Sequence, residues 1–468
     1  MDTFRMDAID IGRRIADGRL TSRQAVRRSL ERIDRMDGML HAFVLRLDER
    51  AMRMAAERDD ERAAGMLRGP LHGVPVAVKD LFDIEGYRTG AGSRSFPDHR
   101  ATASATAVRK LEEAGAVIVG KTHTVEFAFG GWGTNPVLGA PWNPYDPAVH
   151  RAPGGSSSGS AVAVASGMVP IAIGTDTGGS VRIPAAFCGL FGHKSTPGLI
   201  GRGGMRYLSP SHDSVGVLAR SVRDVRAAIA ALAGADAQDA ATLAVPGCGF
   251  RLSDEAETTQ GRFATLEDPA FGRLDDEVRQ RFEASLAALG HRFGGVARVS
   301  LPVPLATMCE TAGRLMSAES YASLHAITED PDTDVAPEIR ARINLGRGIA
   351  PSELAELHAV KRRWKAQFAA AFAGYDLLVM PGAPILPPPI SDIDQSNMAL
   401  SVFGRYVNML DLCAASIPIG LSRDGLPIGL QLIGRRLDDA RVLGIAAALE
   451  RDGSAVHRPP AAYDVVPS

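Results

Sequence analysis

Cysteine is scarce in this chain. Its 468 residues include only four, Cys188, Cys248, Cys309 and Cys413, which lie far apart and lack ligand spacing, so neither a disulfide framework nor a zinc site is indicated. An excess of one charge is missing too. The formal net charge is −2 and the Arg-rich stretches are matched by nearby acids, which leaves no general attraction for nucleic acid or an anionic membrane. No apolar stretch reaches transmembrane length, and Met1 to Asp7 carries acids where a secretory signal needs a basic and then an apolar run. There are no internal repeats. What these absences leave is a cytoplasmic enzyme acting on a small molecule.

Glycine and serine, by contrast, are concentrated where chemistry can use them. Pro153-Gly154-Gly155-Ser156-Ser157-Ser158-Gly159-Ser160 is followed, after one apolar segment, by Gly174-Thr175-Asp176-Thr177-Gly178-Gly179-Ser180-Val181-Arg182-Ile183-Pro184. A serine beside glycines can sit on a sharply turned backbone whose N–H groups point into a cleft, as a nucleophile and its oxyanion pocket both require. The intervening Ala161 to Ile173 is almost purely apolar and reads as buried helix followed by buried strand, so the two loops should converge. A flexible linker would not run directly into such a segment.

Along the rest of the chain, Asp7 to Asp60 reads as helices with charged outer faces, and Thr21-Ser22-Arg23-Gln24 reads as a capping box opening a helix over Ala25 to Met36. Short strands follow at Val74 to Val78 and Ala116 to Val119, joined by a helix over Thr102 to Ala114, which makes a β-α-β crossover and a parallel pair. Ser221 to Gly374 reads as a mainly helical cover. Strand signals return at Leu377 to Met380, Ile417 to Gly420 and Ile428 to Ile433, completing the same sheet. The expected organisation is a single domain over 1–468: an N-terminal helical layer (1–65), a core (66–220), the helical cover (221–374) and late strands with a pocket wall (375–468).

Two pattern matches compete with the serine loops. Gly115 to Thr122 satisfies the P-loop expression, but its four intervening residues are themselves a strand, so it cannot open a helix around phosphate. Gly155-Ser156-Ser157-Ser158-Gly159 satisfies the nucleophile-elbow pattern with Ser157 at its centre, yet Trp142 to Pro153 is loop rather than the strand an elbow needs, and neither His193 nor His212 offers a clear base. Lys79 differs: it ends an apolar strand, where α/β folds place their sites, and burial could bring its amine into the range of a usable base.

Together, Gly73 to Asp80, Gly154-Gly155-Ser156-Ser157 and Gly174 to Leu190 strongly resemble the amidase signature family, with flanking support from Gly120-Lys121-Thr122, Asn135-Pro136, Asn143-Pro144 and Gly425 to Gln431. The resemblance implies a three-layer α/β/α fold around a large mixed, mostly parallel twisted sheet. It implies a Ser–Ser–Lys triad in which Ser180 is the nucleophile, Ser156 the bridging serine after a cis Gly155–Ser156 peptide, and Lys79 the base. The backbone N–H groups of Thr177, Gly178, Gly179 and Ser180 would form the oxyanion hole, with Ser157, Asp176 and Arg182 as support. No metal or cofactor is implied, and homodimers are a common assembly. Phe129, Gly130, Gly131 and Trp132, and Tyr406 in the segment Pro381 to Leu410, are candidate pocket walls, although core packing fits Phe127 and Phe129 equally well. The expected reaction cleaves an amide, aryl amide, carbamate or urea-like C–N bond. The alternative is a glutaminase-type subunit of a tRNA-dependent amidotransferase, for which Tyr406 stands where that subunit has an acid.

Overall fold

In the computed structural model, which describes residues 5–98, 100–245, 261–396 and 399–461, the apolar runs around the two serine loops form the centre of an 11-stranded sheet. The strands are β1 (Phe43–Arg46), β2 (Pro75–Lys79), β3 (Val117–Thr122), β4 (Ile171–Asp176), β5 (Phe191–Lys194), β6 (Ser214–Ala219), β7 (Phe263–Leu266), β8 (Val296–Val299), β9 (Leu377–Pro381), β10 (Cys413–Leu421) and β11 (Pro427–Gly434), in the order β1-β3-β2-β4-β6-β5-β10-β11-β9-β7-β8. β2 lies between β3 and β4 and is parallel to both, as the crossover pattern requires.

Every residue of β2, β3 and β4 is buried, which is why their sequences are continuous apolar runs rather than alternations. The two faces nevertheless separate by register. Val76 and Val78 pack in one core with the helices Ala8–Ala16, Thr106–Glu113, Val222–Leu232 and Asp439–Arg451, whereas Ala77 packs in another with Ser22–Leu40, Asp48–Ala63 and Ser158–Ala165. Helices therefore cover both faces, giving the three expected layers.

Three expectations change. The sheet is mixed but not mostly parallel: β1–β3, β4–β6, β5–β6, β5–β10, β10–β11 and β9–β11 are antiparallel, against the parallel pairs β2–β3, β2–β4, β7–β8 and β7–β9. The N-terminal layer is not purely helical, since β1 pairs with β3 at the sheet edge. The helical cover likewise contributes β7 and β8 to the opposite edge. These strands have four residues each, too few to show a period between long helices.

The capping box is present: Thr21 Oγ1 accepts from the Gln24 N–H and Gln24 Oε1 from the Thr21 N–H, both at 3.0 Å, so the helix starts at Ser22, earlier than expected, and runs on to Leu40. The helix expected from Thr102 starts later, at Thr106. The P-loop look-alike is indeed strand, and its Lys121 is buried against Asp80 at 2.6 Å. Cys188, Cys309 and Cys413 are free thiols, and Cys248 lies outside the described residues. Among the described residues no helix is long and apolar enough to cross a membrane.

Candidate active site

Lys79 is the last residue of β2, and the regular strand delivers its side chain into the space between the two serine loops. Its Nζ lies 2.7 Å from Ser156 Oγ and 2.8 Å from Thr175 Oγ1, with the side chain fully buried. Burial pulls the lysine pKa down to about 7; Asp213 and Asp176 oppose this by favouring the charged form. A neutral amine is thus available near neutral pH.

The serine loops are clamped together by backbone. The Gly155–Ser156 peptide is cis, and the Gly155 N–H donates to the Gly131 carbonyl at 2.7 Å. The Ser157 N–H donates to the Ser180 carbonyl at 3.1 Å, which holds the two serine segments side by side. Ser157 Oγ donates to the Thr175 carbonyl at 3.2 Å and accepts from the Thr175 N–H at 3.3 Å, so this hydroxyl is occupied in joining the loop to β4. That removes Ser157 as an elbow nucleophile. The histidines are equally engaged elsewhere. His193 lies in β5, with Nε2 2.9 Å from Asp439, and His212 Nδ1 lies 2.9 Å from Ser209 Oγ.

Ser156 is inaccessible, whereas Ser180 retains 7% of its surface, so of the two serines only Ser180 keeps any exposure. The turn carrying Ser180 is organised by Asp176. Its carboxylate accepts from the N–H groups of Gly179 (2.9 Å) and Val181 (3.0 Å) and from Arg182 Nη2 and Nε at 2.8 and 3.0 Å. Burial alone would raise the Asp176 pKa, but Arg182, Lys194 and the Val181 N–H hold it well below the usual carboxylate range. Because the Gly179 N–H is committed to Asp176, the oxyanion donors left in the expected set are those of Thr177, Gly178 and Ser180. Arg182 also reaches Gln431 of β11 (2.9 Å), Asn408 (2.8 Å) and the Gly404 carbonyl (3.1 Å), tying the signature turn to the C-terminal part of the sheet.

Two residues of this site carried no clear signal in the sequence. Thr175 faces Lys79 from the end of β4, and Asp213 accepts from Thr177 Oγ1 at 2.5 Å and from the N–H groups of Leu208 and Ser209. Burial lifts the Asp213 pKa to about 6, against the Thr177 and backbone hydrogen bonds that lower it. In Ser211-His212-Asp213 the sequence drew attention to the histidine, but the carboxylate is what meets the glycine turn, at Thr177.

The pocket expectations divide. Phe129 lines a cavity of about 460 Å³. Gly131 serves through its carbonyl, while a Cβ on Gly130 would sit 2.9 Å from Val125, so this glycine permits close packing. Trp132 packs with Ile183, Ala186 and Phe187. Tyr406 is not a pocket wall: it is fully buried in a core cluster with Phe403, Met409 and Leu315, and its neighbour Arg405 lines the cavity instead. The segment from Pro381 braces the approach to the first serine loop, its Pro388 carbonyl accepting from the Ala152 N–H at 2.9 Å.

The chain that brings together this buried lysine, the two serines and the glycine turn matches a family model, Amidase, over residues 24–443. The chain belongs to the amidase family. Relatives include a glutamyl-tRNA(Gln) amidotransferase subunit of Anaeromyxobacter dehalogenans, 35% identical and covering 97% of this chain and 98% of that one. The 2-amino-5-chloromuconic acid deaminase of Comamonas testosteroni is 34% identical over 89% of each chain. Among solved structures, native peptide amidase from Stenotrophomonas maltophilia superposes with a TM-score of 0.84 at 29% identity, covering 98% of this amidase and 99% of that chain. This amidase is accordingly a C–N hydrolase of the amidase signature class.

Proposed function

We propose that this amidase cleaves the C–N bond of a small amide, carbamate or urea-like molecule through an acyl-enzyme on Ser180. The observation that carries the reading is Lys79 Nζ at 2.7 Å from Ser156 Oγ in a site where burial brings the lysine to about 7. In the forward step the neutral amine takes the Ser156 hydroxyl proton, and Ser156 takes that of Ser180 as Ser180 Oγ bonds to the carbonyl carbon. The N–H groups of Thr177, Gly178 and Ser180 receive the oxyanion. The proton returns through Ser156 to the leaving nitrogen, the C–N bond breaks, and water then releases the acyl group by the reverse relay.

Ser180→Ala tests this directly. Release of ammonia or amine from a panel of aliphatic amides, anilides, carbamates and ureas should fall on the order of 10⁶-fold in the variant. Unchanged turnover by Ser180→Ala would remove Ser180 as nucleophile.

A second reading is favoured by the amidotransferase relatives: a glutaminase-type subunit working with partner chains. Glutamine-specific ammonia release that appears only with a co-purifying partner would select it. Against it stands Tyr406, neutral and enclosed in the core where that subunit uses an acid.

A further inference from the structure

The cavity beside Phe129 has an unusual wall. Arg405 is only 8% exposed, yet its guanidinium donates to a neutral group, the Cys309 carbonyl at 3.1 Å, and among the described residues it forms no ion pair with a carboxylate. Arg342, on the same wall, donates to the carbonyls of Phe129 (2.7 Å) and Gln395 and feels Glu338 only from beyond ion-pair distance. The other charges of the wall do not neutralise this pair. Arg314 and Glu353 are bonded to each other, and Glu310 is exposed to solvent, which screens it. A guanidinium carries five donors, and enclosing it without an anion is costly.

The wall also adjoins the proposed chemistry. Arg405 packs its stem on the oxyanion loop, since a Cβ on Gly178 would lie 3.0 Å from Arg405 Cγ. Phe129 stands two residues before Gly131, whose carbonyl holds Gly155 of the first serine loop. Arg405 thus joins the turn two residues before Ser180 to a cavity of about 460 Å³ whose wall carries two guanidiniums, Arg405 and Arg342, without a carboxylate partner among the described residues.

We propose that this cavity is a carboxylate subsite: the substrate is an amide-type compound that also carries a free carboxylate, bound by Arg405 with Arg342. The inference rests on the Ser180 hydrolase reading and specifies its substrate class. A carboxylate would supply the charge-assisted, bidentate partner that the protein itself withholds from Arg405.

The test uses two amides of equal chain length, butyramide and succinamate, with succinate as a probe that cannot be hydrolysed. Wild type should favour succinamate in kcat/KM by about tenfold or more. Arg405→Met should abolish most of that preference, chiefly through KM, and Arg405→Lys should restore part of it. Succinate should raise the melting temperature of both wild type and Ser180→Ala. Arg342→Met gives the same ratio readout if Arg405→Met does not fold. Equal kcat/KM for the two amides, or a ratio that survives both substitutions, would overturn the proposal; if Arg405 merely buttressed Gly178, both amides would slow alike. Should neither amide turn over while succinate binds in an Arg405-dependent way, the carboxylate subsite stands and the Ser180 hydrolase reading falls. Absence of both turnover and succinate binding overturns the subsite.

Discussion

At Lys79 the protein buries a cationic side chain and gives it two hydroxyls rather than a carboxylate, an arrangement that favours the neutral amine at the expense of stability. Because the folded pKa of about 7 lies below the usual lysine value, the unfolded chain binds the extra proton between the two, and stability rises with pH across that window. Lys79→Met should therefore melt above the wild type, by a wider margin in acid than in mildly alkaline buffer, while turnover falls about 10²- to 10⁴-fold. Differential scanning calorimetry beside a rate assay would show both. In the proposed reaction Lys79 must be neutral, so kcat/KM should climb as pH passes about 7 and level off above it. Asp213 favours the charged lysine, so Asp213→Asn should move this rising limb to lower pH. A limb that stays in place or moves to higher pH would show that another group sets it.

At the scale of elements, the site depends on how strands end and loops approach. Gly154 has φ +75°, and a Cβ there would stand 2.8 Å from Pro184 Cα, so the first serine loop can lie on the signature helix Arg182–Phe187 only with glycine at this point. Gly154→Ala should cost about 1–3 kcal/mol of stability. By displacing Ser156 from Lys79 it should also lower kcat about 100-fold. Near-normal kcat in that variant would mean that the loop tolerates another path. The helix Ser158–Ala165 shows the same dependence on its surroundings. All its residues are buried, and its short sequence of Ala, Val, Ser and Gly forms a helix because β4 and the neighbouring helices Ser22–Leu40 and Asp48–Ala63 enclose it.

Across the whole molecule, the site joins distant stretches of chain. Arg182 connects Asp176 at the end of β4 with Gln431 in β11 and with Asn408 and Gly404 of the segment before β10. Arg182→Met would leave Asp176 enclosed without its cation, and the expected loss is about 3–5 kcal/mol. Thermal unfolding of the variant should shift markedly downward, together with loss of activity, because the same carboxylate shapes the turn at Ser180. An unchanged melting curve would assign the link between the two parts of the sheet to other contacts.

Lys79, Ser156 and Ser180 are legible in the sequence because their setting is local: a strand end, a double glycine, and a glycine turn written in consecutive residues. The crossover β2–β3 and the late strands β9 to β11 are legible for the same reason, each being an apolar run bounded by glycine or proline. Folding alone decided the antiparallel majority of the sheet and the edge strands β1, β7 and β8, since pairing is made by segments far apart in sequence. It likewise placed Tyr406 in the core and Arg405 in the cavity, and brought Asp213 to Thr177. Backbone turns and periodicity are set within a few residues. Burial and charge partnership are sums over everything that packs nearby, and take their values only once the chain has closed around them.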